Sequence, residues 1–187
     1  MTDTLTTLFQ AEATIDVIAA HLDALEESQR LLEVREFPGS LQSKLYDLAA
    51  GSPPIRVEAF VPEVDVEVMY SGKNSAPAFK YFSKAFWRKP GASEAIGYNV
   101  QFWRWASGPG YFTTEQSGTE VAFDYTKMPT LQPPGWPALQ PNSGLIPGLV
   151  FGGMIDYARA IGEGMIIGAA FKGGKPRNQY FMLSRAA

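Results

Sequence analysis

The residues best suited to chemistry lie near the C-terminus, where Asp156 precedes Arg159 by three positions. At this spacing a carboxylate and a guanidinium can pair on one helical turn. Alternatively, the two side chains direct an acid and a fork of hydrogen-bond donors at a ligand. A structural pair is the commoner use of such a motif, and we favour it, but both residues remain candidates for ligand binding.

The densest aromatic region supplies further candidates. On a strand over residues 96–106, Tyr98, Phe102 and Arg104 project to one side, because successive side chains alternate between faces. One face of this strand would line a cavity and the other would receive the N-terminal helix. The alternative is that every aromatic side chain belongs to an ordinary core. Trp136, in a segment rich in proline and glycine, completes the set of candidate ligand-binding residues.

Other ionisable residues have simpler interpretations. Lys84 is expected to face solvent, because lysine is seldom fully buried. A buried ammonium with a lowered pKa, or a clamp for a carboxylate, is its functional alternative. Glu115, Glu120 and Asp124 could supply a general acid or base if burial raised a pKa, but two of them lie beside a turn, so solvated carboxylates are favoured. His21 is expected to be a surface residue. No residue can be assigned a catalytic role from the sequence.

Composition excludes several chemistries. The chain of 187 residues has no cysteine and one histidine, so disulfides, thiolate nucleophiles, Cys-ligated zinc and a His-rich metal site within one chain are ruled out. The glycine and serine motifs of nucleotide-binding loops and hydrolase elbows are also missing, so we expect neither a cofactor nor a metal. A net charge of -3 with scattered basic residues argues against nucleic acid.

The distribution of apolar residues along the chain indicates where in the cell the protein is expected. With 45% hydrophobic residues the chain can form a full core, yet no apolar run approaches the length of roughly 18 residues that a membrane helix needs. The first residues also lack the pattern of a secretory signal. These features predict a cytoplasmic protein without a membrane span.

Apolar spacing divides the chain into two parts. Over residues 5–35 apolar side chains recur every three or four positions, which predicts one amphipathic helix. Its apolar stripe includes Ile18, Leu22 and Leu32 and should be buried, either against the barrel or against a second copy of the helix. A shorter helix should follow and end at Gly51, before the break at Ser52-Pro53-Pro54. A period of two then predicts strands at 55–61, 64–68, 79–88, 96–106, 111–115, 119–125, 165–172 and 178–185. The intervening residues 128–153 are expected to be either a functional loop or a packed cover over the barrel mouth, and we predict that 128–151 act as a lid.

Short motifs in a fixed order suggest a family. They are Leu45-Tyr46-Asp47-Leu48, Ser83-Lys84-Ala85-Phe86, Gly97-Tyr98-Asn99, Val121-Ala122-Phe123-Asp124-Tyr125 and Ile155-Asp156-Tyr157-Ala158-Arg159 with Gly164 and Gly168. Over residues 45–185 the chain resembles a bacterial family of small calycin-type, lipocalin-like β-barrel proteins. It departs from the Trp-x-Gly-Lys-x-Phe strand of that family, with Phe82 near the tryptophan position and Ser83 at the glycine. The resemblance implies a barrel with an apolar interior.

We therefore predict an α+β protein of one domain over residues 1–187. Residues 1–51 should form an N-terminal helical hairpin, packed on an antiparallel lipocalin-like β-barrel of residues 55–187. The leading function is binding of a small, largely apolar molecule inside the barrel. One alternative is a cofactor-free cyclase, isomerase or lyase acting on such a molecule. Another is an oligomeric or partner-binding protein with a filled barrel, for example a homodimer formed through the helix.

Overall fold

The protein is built around a closed antiparallel β-barrel. The computed structural model describes residues 3–76, 80–100, 108–143 and 145–186. Within them eight strands pair in sequence order, and the last strand closes the barrel by pairing with the first through Tyr70↔Arg185 to Asn74↔Phe181. The predicted α+β class with an antiparallel barrel is therefore confirmed.

The elements have the following bounds. The strands are β1 (Glu67–Asn74), β2 (Tyr81–Trp87), β3 (Ala95–Val100), β4 (Phe112–Ser117), β5 (Glu120–Asp124), β6 (Met154–Gly162), β7 (Met165–Lys172) and β8 (Lys175–Arg185). The helices are α1 (Leu5–Gln10), α2 (Ile15–Asp23), α3 (Glu27–Glu36), α4 (Gln42–Leu48), α5 (Val57–Phe60) and α6 (Leu145–Val150).

The prediction of one long N-terminal helix is wrong. The chain turns after α1, where Glu12 takes a left-handed conformation with φ of 58°, and the side chain of Thr14 then caps α2 by accepting the amide of Val17. Such caps satisfy amides that have no partner inside the helix, so they favour a new start. Ile18 and Leu22 of the predicted stripe are buried, whereas Leu32 is half exposed.

The helices α1 to α4 cover the outer face of β6, β7 and β8. Ile18, Leu22 and Leu45 form one apolar cluster with Ile167 and Met182 of the barrel wall. The buried part of the predicted stripe therefore packs on the barrel of the same chain, which is the first of its two expected settings. An exposed stripe, the feature expected of a helix-mediated partner-binding protein, is not found at Ile18 and Leu22.

One end of the barrel is closed by α5, where a strand over residues 55–61 was wrongly predicted. Val57, Phe60 and Val61 follow a helical spacing of three and four, and all three are buried in the barrel core. The ring of Phe60 stacks on Tyr70 at 4.4 Å, and the Tyr70 hydroxyl donates to the carbonyl of Phe60 at 2.7 Å. The guanidinium of Arg88 donates to the carbonyl of Val61 at 2.7 Å, which holds α5 against β2.

Strand β6 replaces the helical turn that was predicted for Asp156 and Arg159. Residues 154–162 pair with β5 on one side and with β7 on the other. Charged residues occur on both faces of this strand, so the alternation of apolar and polar residues that is typical of a strand is not visible in the sequence. Because faces alternate along a strand, two residues three positions apart point in opposite directions, and the expected pairing of Asp156 with Arg159 is wrong.

The segment between β5 and α6 covers a second outer face of the barrel. Trp136 packs with Tyr98 and Tyr111 in an apolar cluster that also holds Ala85 of β2. Asn142 fixes the segment by donating to the backbone carbonyls of Tyr111 and Tyr125 at 2.6 and 2.8 Å. Residues 126–143 thus cover part of the barrel wall, and their action as a lid stays a prediction.

Among the described residues, no helix combines the length and the apolar character needed to cross a bilayer.

We expect Ile18→Asp to lower the free energy of unfolding by about 3 kcal/mol or more, because the variant loses buried apolar surface and places a carboxylate in an apolar cluster. The matched control is Val17→Asp, one position away on α2 and 50% exposed, which should change stability by less than about 1 kcal/mol. Urea unfolding followed by circular dichroism measures both. Equal losses in the two variants would contradict the docking of α2.

Candidate functional site

The barrel interior is lined mainly by aromatic side chains. Phe86 lies between two of them, with ring centroids 5.4 Å from Phe112 and 5.4 Å from Phe123. Phe123 in turn lies 6.2 Å from Phe181 across the barrel. All of these rings belong to one buried cluster. The interior is therefore an apolar medium, in which charges are poorly solvated.

Small residues on other strands make room for these rings. A Cβ atom at Gly168 would collide with the ring of Phe181, and one at Gly97 would collide with the ring of Phe112. Ala158 of β6 also belongs to the interior cluster. Large and small side chains thus alternate around the barrel wall, as dense packing of a narrow barrel requires.

Four polar side chains are gathered within this aromatic interior: Lys84, Asn99, Tyr125 and Asp156. They are 3 to 6% exposed. Lys84 lies opposite Asn99 in the register of β2 and β3 and donates to its Oδ1 at 2.7 Å. It also donates to the hydroxyl of Tyr125 at 2.5 Å. Its Nζ lies 4.0 Å from Oδ2 of Asp156. We call these four residues the polar cluster.

Aromatic rings surround the ammonium group of the polar cluster. The Nζ atom of Lys84 lies 5.0 Å from the ring centroid of Phe112 and 5.2 Å from that of Tyr125. The rings of Phe82, Phe123 and Phe181 lie 5.5 to 5.8 Å away. Such contacts favour a cation through the negative faces of the rings, although they replace only part of the lost hydration.

Burial shifts the pKa values of both charged members toward neutrality. Burial lowers the pKa of Lys84 to about 8, against the opposing effect of the Asp156 charge. It raises the pKa of Asp156 to about 6, against the effect of Lys84. At pH 7 the two groups are therefore ionised, but each lies within reach of its other protonation state.

The other two members hold the ion pair in place. Burial and the neighbouring Asp156 charge raise the pKa of Tyr125 well above its usual value, so its hydroxyl stays protonated. Asn99 donates to the carbonyl of Gly110 at 3.0 Å, which orients its amide oxygen toward Lys84. Above the cluster, Phe151 stacks on Tyr125 at 5.5 Å with nearly parallel rings.

One oxygen atom of the polar cluster accepts no hydrogen bond from the described residues. Oδ1 of Asp156 is buried and has no hydrogen-bond partner within the described part of the chain. A buried carboxylate oxygen without a donor is costly, and such atoms in native structures usually have a role. Among the described residues, Oδ1 is thus an acceptor of the cluster that is open to a further donor, such as a ligand.

The prediction that Lys84 faces solvent is wrong. Its strand β2 is buried on both faces, because Ala85 on the outward face lies under the segment that carries Trp136. Because side chains alternate along the strand, Lys84 shares the inward face with Phe86, which belongs to the barrel core. The sequence contained a signal for this outcome, since the apolar residues flanking Lys84 on both faces leave little solvent-facing surface on this strand.

Arg159 lies on the outer face of the barrel, away from Asp156. Its guanidinium pairs with Glu120 at 2.7 Å, donates to the carbonyl of Tyr46 at 2.6 Å and lies 3.8 Å above the Tyr46 ring. The Tyr46 hydroxyl donates to Glu120 at 2.7 Å. This arrangement attaches α4 to the barrel wall. The favoured structural interpretation therefore applies to Arg159, but with Glu120 as its partner.

Two of the remaining candidates, Tyr98 and Trp136, do not line the barrel interior. Tyr98 and Trp136 do meet, with ring centroids 4.8 Å apart, but on the outer face of β3. The inward position next to Tyr98 belongs to Asn99, so the expectation that the face of Tyr98 lines the cavity is corrected. Phe102 and Arg104 lie outside the described residues.

Glu115, Asp124 and His21 each have a partner outside the polar cluster. Glu115 pairs with Lys127 at 2.7 Å, as expected of a solvated carboxylate. Asp124 is buried instead, and it accepts from the amide and hydroxyl of Thr126 at 2.8 and 2.6 Å. His21 is only partly exposed and lies 3.4 Å from Glu33. None of these groups joins the polar cluster.

A separate cleft of about 270 Å³ lies between α2 and the end of the barrel that α5 closes. Ala19, Pro54 and Phe60 are among its lining residues, and its acidic side chains include Asp16 and Asp23. No member of the polar cluster lines it. We therefore take the polar cluster, and not this cleft, as the candidate functional site.

Fold and site together define a class: a closed eight-stranded antiparallel barrel with an ion pair buried among aromatic rings. Comparisons of the chain with family models, with curated proteins and with solved structures find no match.

We expect the polar cluster to lower stability. Lys84→Met should cost about 3 to 5 kcal/mol, because it leaves the buried Asp156 without its cation. The double variant Lys84→Met with Asp156→Leu should recover to the stability of the unmodified protein or exceed it, since an apolar pair needs no hydration. Urea unfolding at pH 7 measures these differences.

The control for this prediction is Lys127→Met. Lys127 is half exposed and pairs with Glu115 and with Asp124. Glu115 stays in contact with solvent and Asp124 keeps the amide and hydroxyl of Thr126 as donors, so the loss of Lys127 should change stability by less than about 1 kcal/mol. A double variant that loses as much stability as the two single variants together would show that the polar cluster stabilises the fold, which contradicts our expectation.

Proposed function

We propose that the protein is a lipocalin-like binding protein that holds a small, largely apolar molecule inside its barrel, against the polar cluster. The observation that carries this proposal is the ion pair of Lys84 and Asp156 in an aromatic interior. A buried ion pair is seldom the most stable solution for a core, because desolvation of both charges offsets their attraction. Ionisable groups with shifted pKa values are also concentrated at functional sites.

The chemistry of the site selects the ligand. The aromatic walls favour an apolar and preferably aromatic body. Lys84 offers a donor to a hydroxyl or carbonyl oxygen, and Oδ1 of Asp156 offers an acceptor to a hydroxyl proton. A full carboxylate is disfavoured, because Asp156 would repel it. The ligand is therefore an uncharged apolar molecule with one hydroxyl or carbonyl group.

We expect 2-naphthol, an aromatic probe with one hydroxyl, to bind with a stoichiometry of one per chain. Lys84→Met and Asp156→Leu should each weaken this binding by about tenfold or more, the loss expected for one hydrogen bond to a charged group. Arg159→Lys is the control, because Arg159 lies on the outer face and should leave the affinity unchanged. Fluorescence titration of the probe measures all four proteins.

Two outcomes would contradict the proposal. One is the absence of saturable binding to the unmodified protein. The other is equal weakening by Arg159→Lys and Lys84→Met, which would indicate that the affinity depends on general stability and not on the polar cluster. Mass spectrometry of molecules released from the purified protein then identifies the natural ligand.

A second candidate function is cofactor-free proton transfer, as in an isomerase, cyclase or lyase. It is favoured by the pKa values of about 6 and about 8 at Asp156 and Lys84, which lie on either side of neutral pH. A general base works best when its pKa lies near the working pH. Asp156 would accept a proton from a carbon next to the carbonyl group of a bound ketone, and Lys84 would stabilise the enolate oxygen.

We expect the protein to exchange the methyl protons of 2-acetonaphthone for deuterium in D₂O if this second function holds. The rate should rise as the pH increases through about 6, because Asp156 acts as a base only after it loses its proton. Asp156→Asn should abolish the exchange, and Arg159→Lys should preserve it. Nuclear magnetic resonance follows the methyl signal. Binding of the ketone without exchange would contradict proton transfer and would be consistent with the binding function.

A further inference from the structure

We propose that Lys84 forms a reversible imine with an apolar aldehyde or ketone held at the polar cluster. The inference rests on the proposed binding function and deepens it, because it names a covalent capture of one ligand class. Its basis is the position of the Lys84 amine: buried among five aromatic rings, 2.7 Å from the amide oxygen of Asn99 and 4.0 Å from the carboxylate of Asp156.

The reaction balances without any further reagent. The ammonium group of Lys84 first loses a proton, and the lone pair on Nζ attacks the carbonyl carbon to form a carbon–nitrogen bond. The carbonyl oxygen takes up that proton, giving a carbinolamine. A second proton from the nitrogen moves to the hydroxyl group, which leaves as water while the carbon–nitrogen double bond forms. An ammonium and a carbonyl compound thus become a protonated imine and water.

Asp156 fits both stages of this reaction. Its carboxylate accepts a proton from the amine and returns it to the oxygen that leaves, since it lies 4.0 Å from Nζ and its Oδ1 atom has no hydrogen-bond partner in the described residues. After the water has left, the protonated imine carries the same positive charge as the ammonium group did. The carboxylate is therefore the counterion before and after the reaction, and both groups are neutral while Asp156 holds the proton, so no charge is left unpaired in the apolar interior.

The surroundings also favour the reactive form of the amine. Desolvation holds the pKa of Lys84 near 8, so about one tenth of the amine is neutral at pH 7. For an ordinary lysine with a pKa near 10.5 the neutral fraction is about 300-fold smaller. The dry interior in addition slows hydrolysis of the imine, because water is the reagent that reverses the reaction.

Lys73 provides an internal comparison. It is buried as well, but its ammonium group donates to the backbone carbonyls of Arg35 and Phe37 at 2.7 and 2.6 Å. These fixed acceptors hold the ammonium group of Lys73 between α3 and β1, and within the described residues it forms no ion pair with a carboxylate. Lys84 therefore differs from Lys73 in its surroundings and not in burial. Only the surroundings of Lys84 combine aromatic walls, a carboxylate and an orienting amide within the described residues.

The test is reductive trapping with 2-naphthaldehyde and sodium cyanoborohydride, followed by peptide mapping. The reductant converts an imine into a stable secondary amine, so each modified lysine gains the mass of one naphthylmethyl group. We expect Lys84 to be modified fastest, with a rate that saturates as the aldehyde concentration rises. The exposed lysines should react slowly and in proportion to concentration, and Lys73 should not react.

A competitor separates this proposal from the binding function. 2-Naphthol has the same body without the carbonyl group, so it should protect Lys84 and leave the exposed lysines unaffected. Arg159→Lys serves as the matched control, since it should keep the rate at Lys84 and add a slowly reacting lysine on the outer face. Asp156→Asn should slow the modification of Lys84 by about tenfold or more if it moves the proton.

Each outcome decides between the two proposals. Saturable 2-naphthol binding together with an unmodified Lys84 would overturn the imine and keep the binding function. Modification of Lys84 that 2-naphthol does not suppress would overturn the imine site, because it would show simple chemical reactivity. Absence of both binding and modification would overturn both proposals.

Discussion

The desolvation of one ion pair is the constraint on which the rest of the interior depends. Lys84 and Asp156 lie 4.0 Å apart in an interior of aromatic rings, where neither charge can be hydrated. Asn99 and Tyr125 therefore have to hold the ammonium group, and Phe151 has to cover them. Because those residues come from different strands and from the segment before β6, the ion pair fixes how these parts meet.

Side-chain size is a second constraint on the barrel interior. A barrel of eight strands has room for few rings, so Phe112 and Phe181 fit only because Gly97 and Gly168 carry no side chain. Replacing either glycine by alanine would displace a ring that borders the ammonium group, so the apolar packing and the electrostatics of the site are coupled.

The sequence predicted much of the barrel and little of the site. Alternation identified most of the strands, because one face of each is buried. Alternation failed to identify β6, because Asp156 and Arg159 place a charged residue on each face of that strand. It also failed at residues 55–61, where Val57 and Phe60 follow a helical period. The polar cluster escaped prediction because it joins residues from β2, β3 and β6 with the end of β5, and a single sequence does not show which polar residues meet across a barrel. Thr14, a helix cap, was the visible signal for the break between α1 and α2.

Alternation along β6 also explains why two residues that look like one motif have separate tasks. Arg159 faces outward and binds Glu120 and Tyr46, so it attaches α4 to the barrel wall. Asp156 faces inward and has an acceptor without a donor in the described residues. A shift of this strand by one residue would exchange the faces, exposing Asp156 and burying Arg159 among aromatic rings. The outer ion pair of Arg159 thus opposes such a shift, and the scaffold thereby keeps the buried carboxylate beside Lys84.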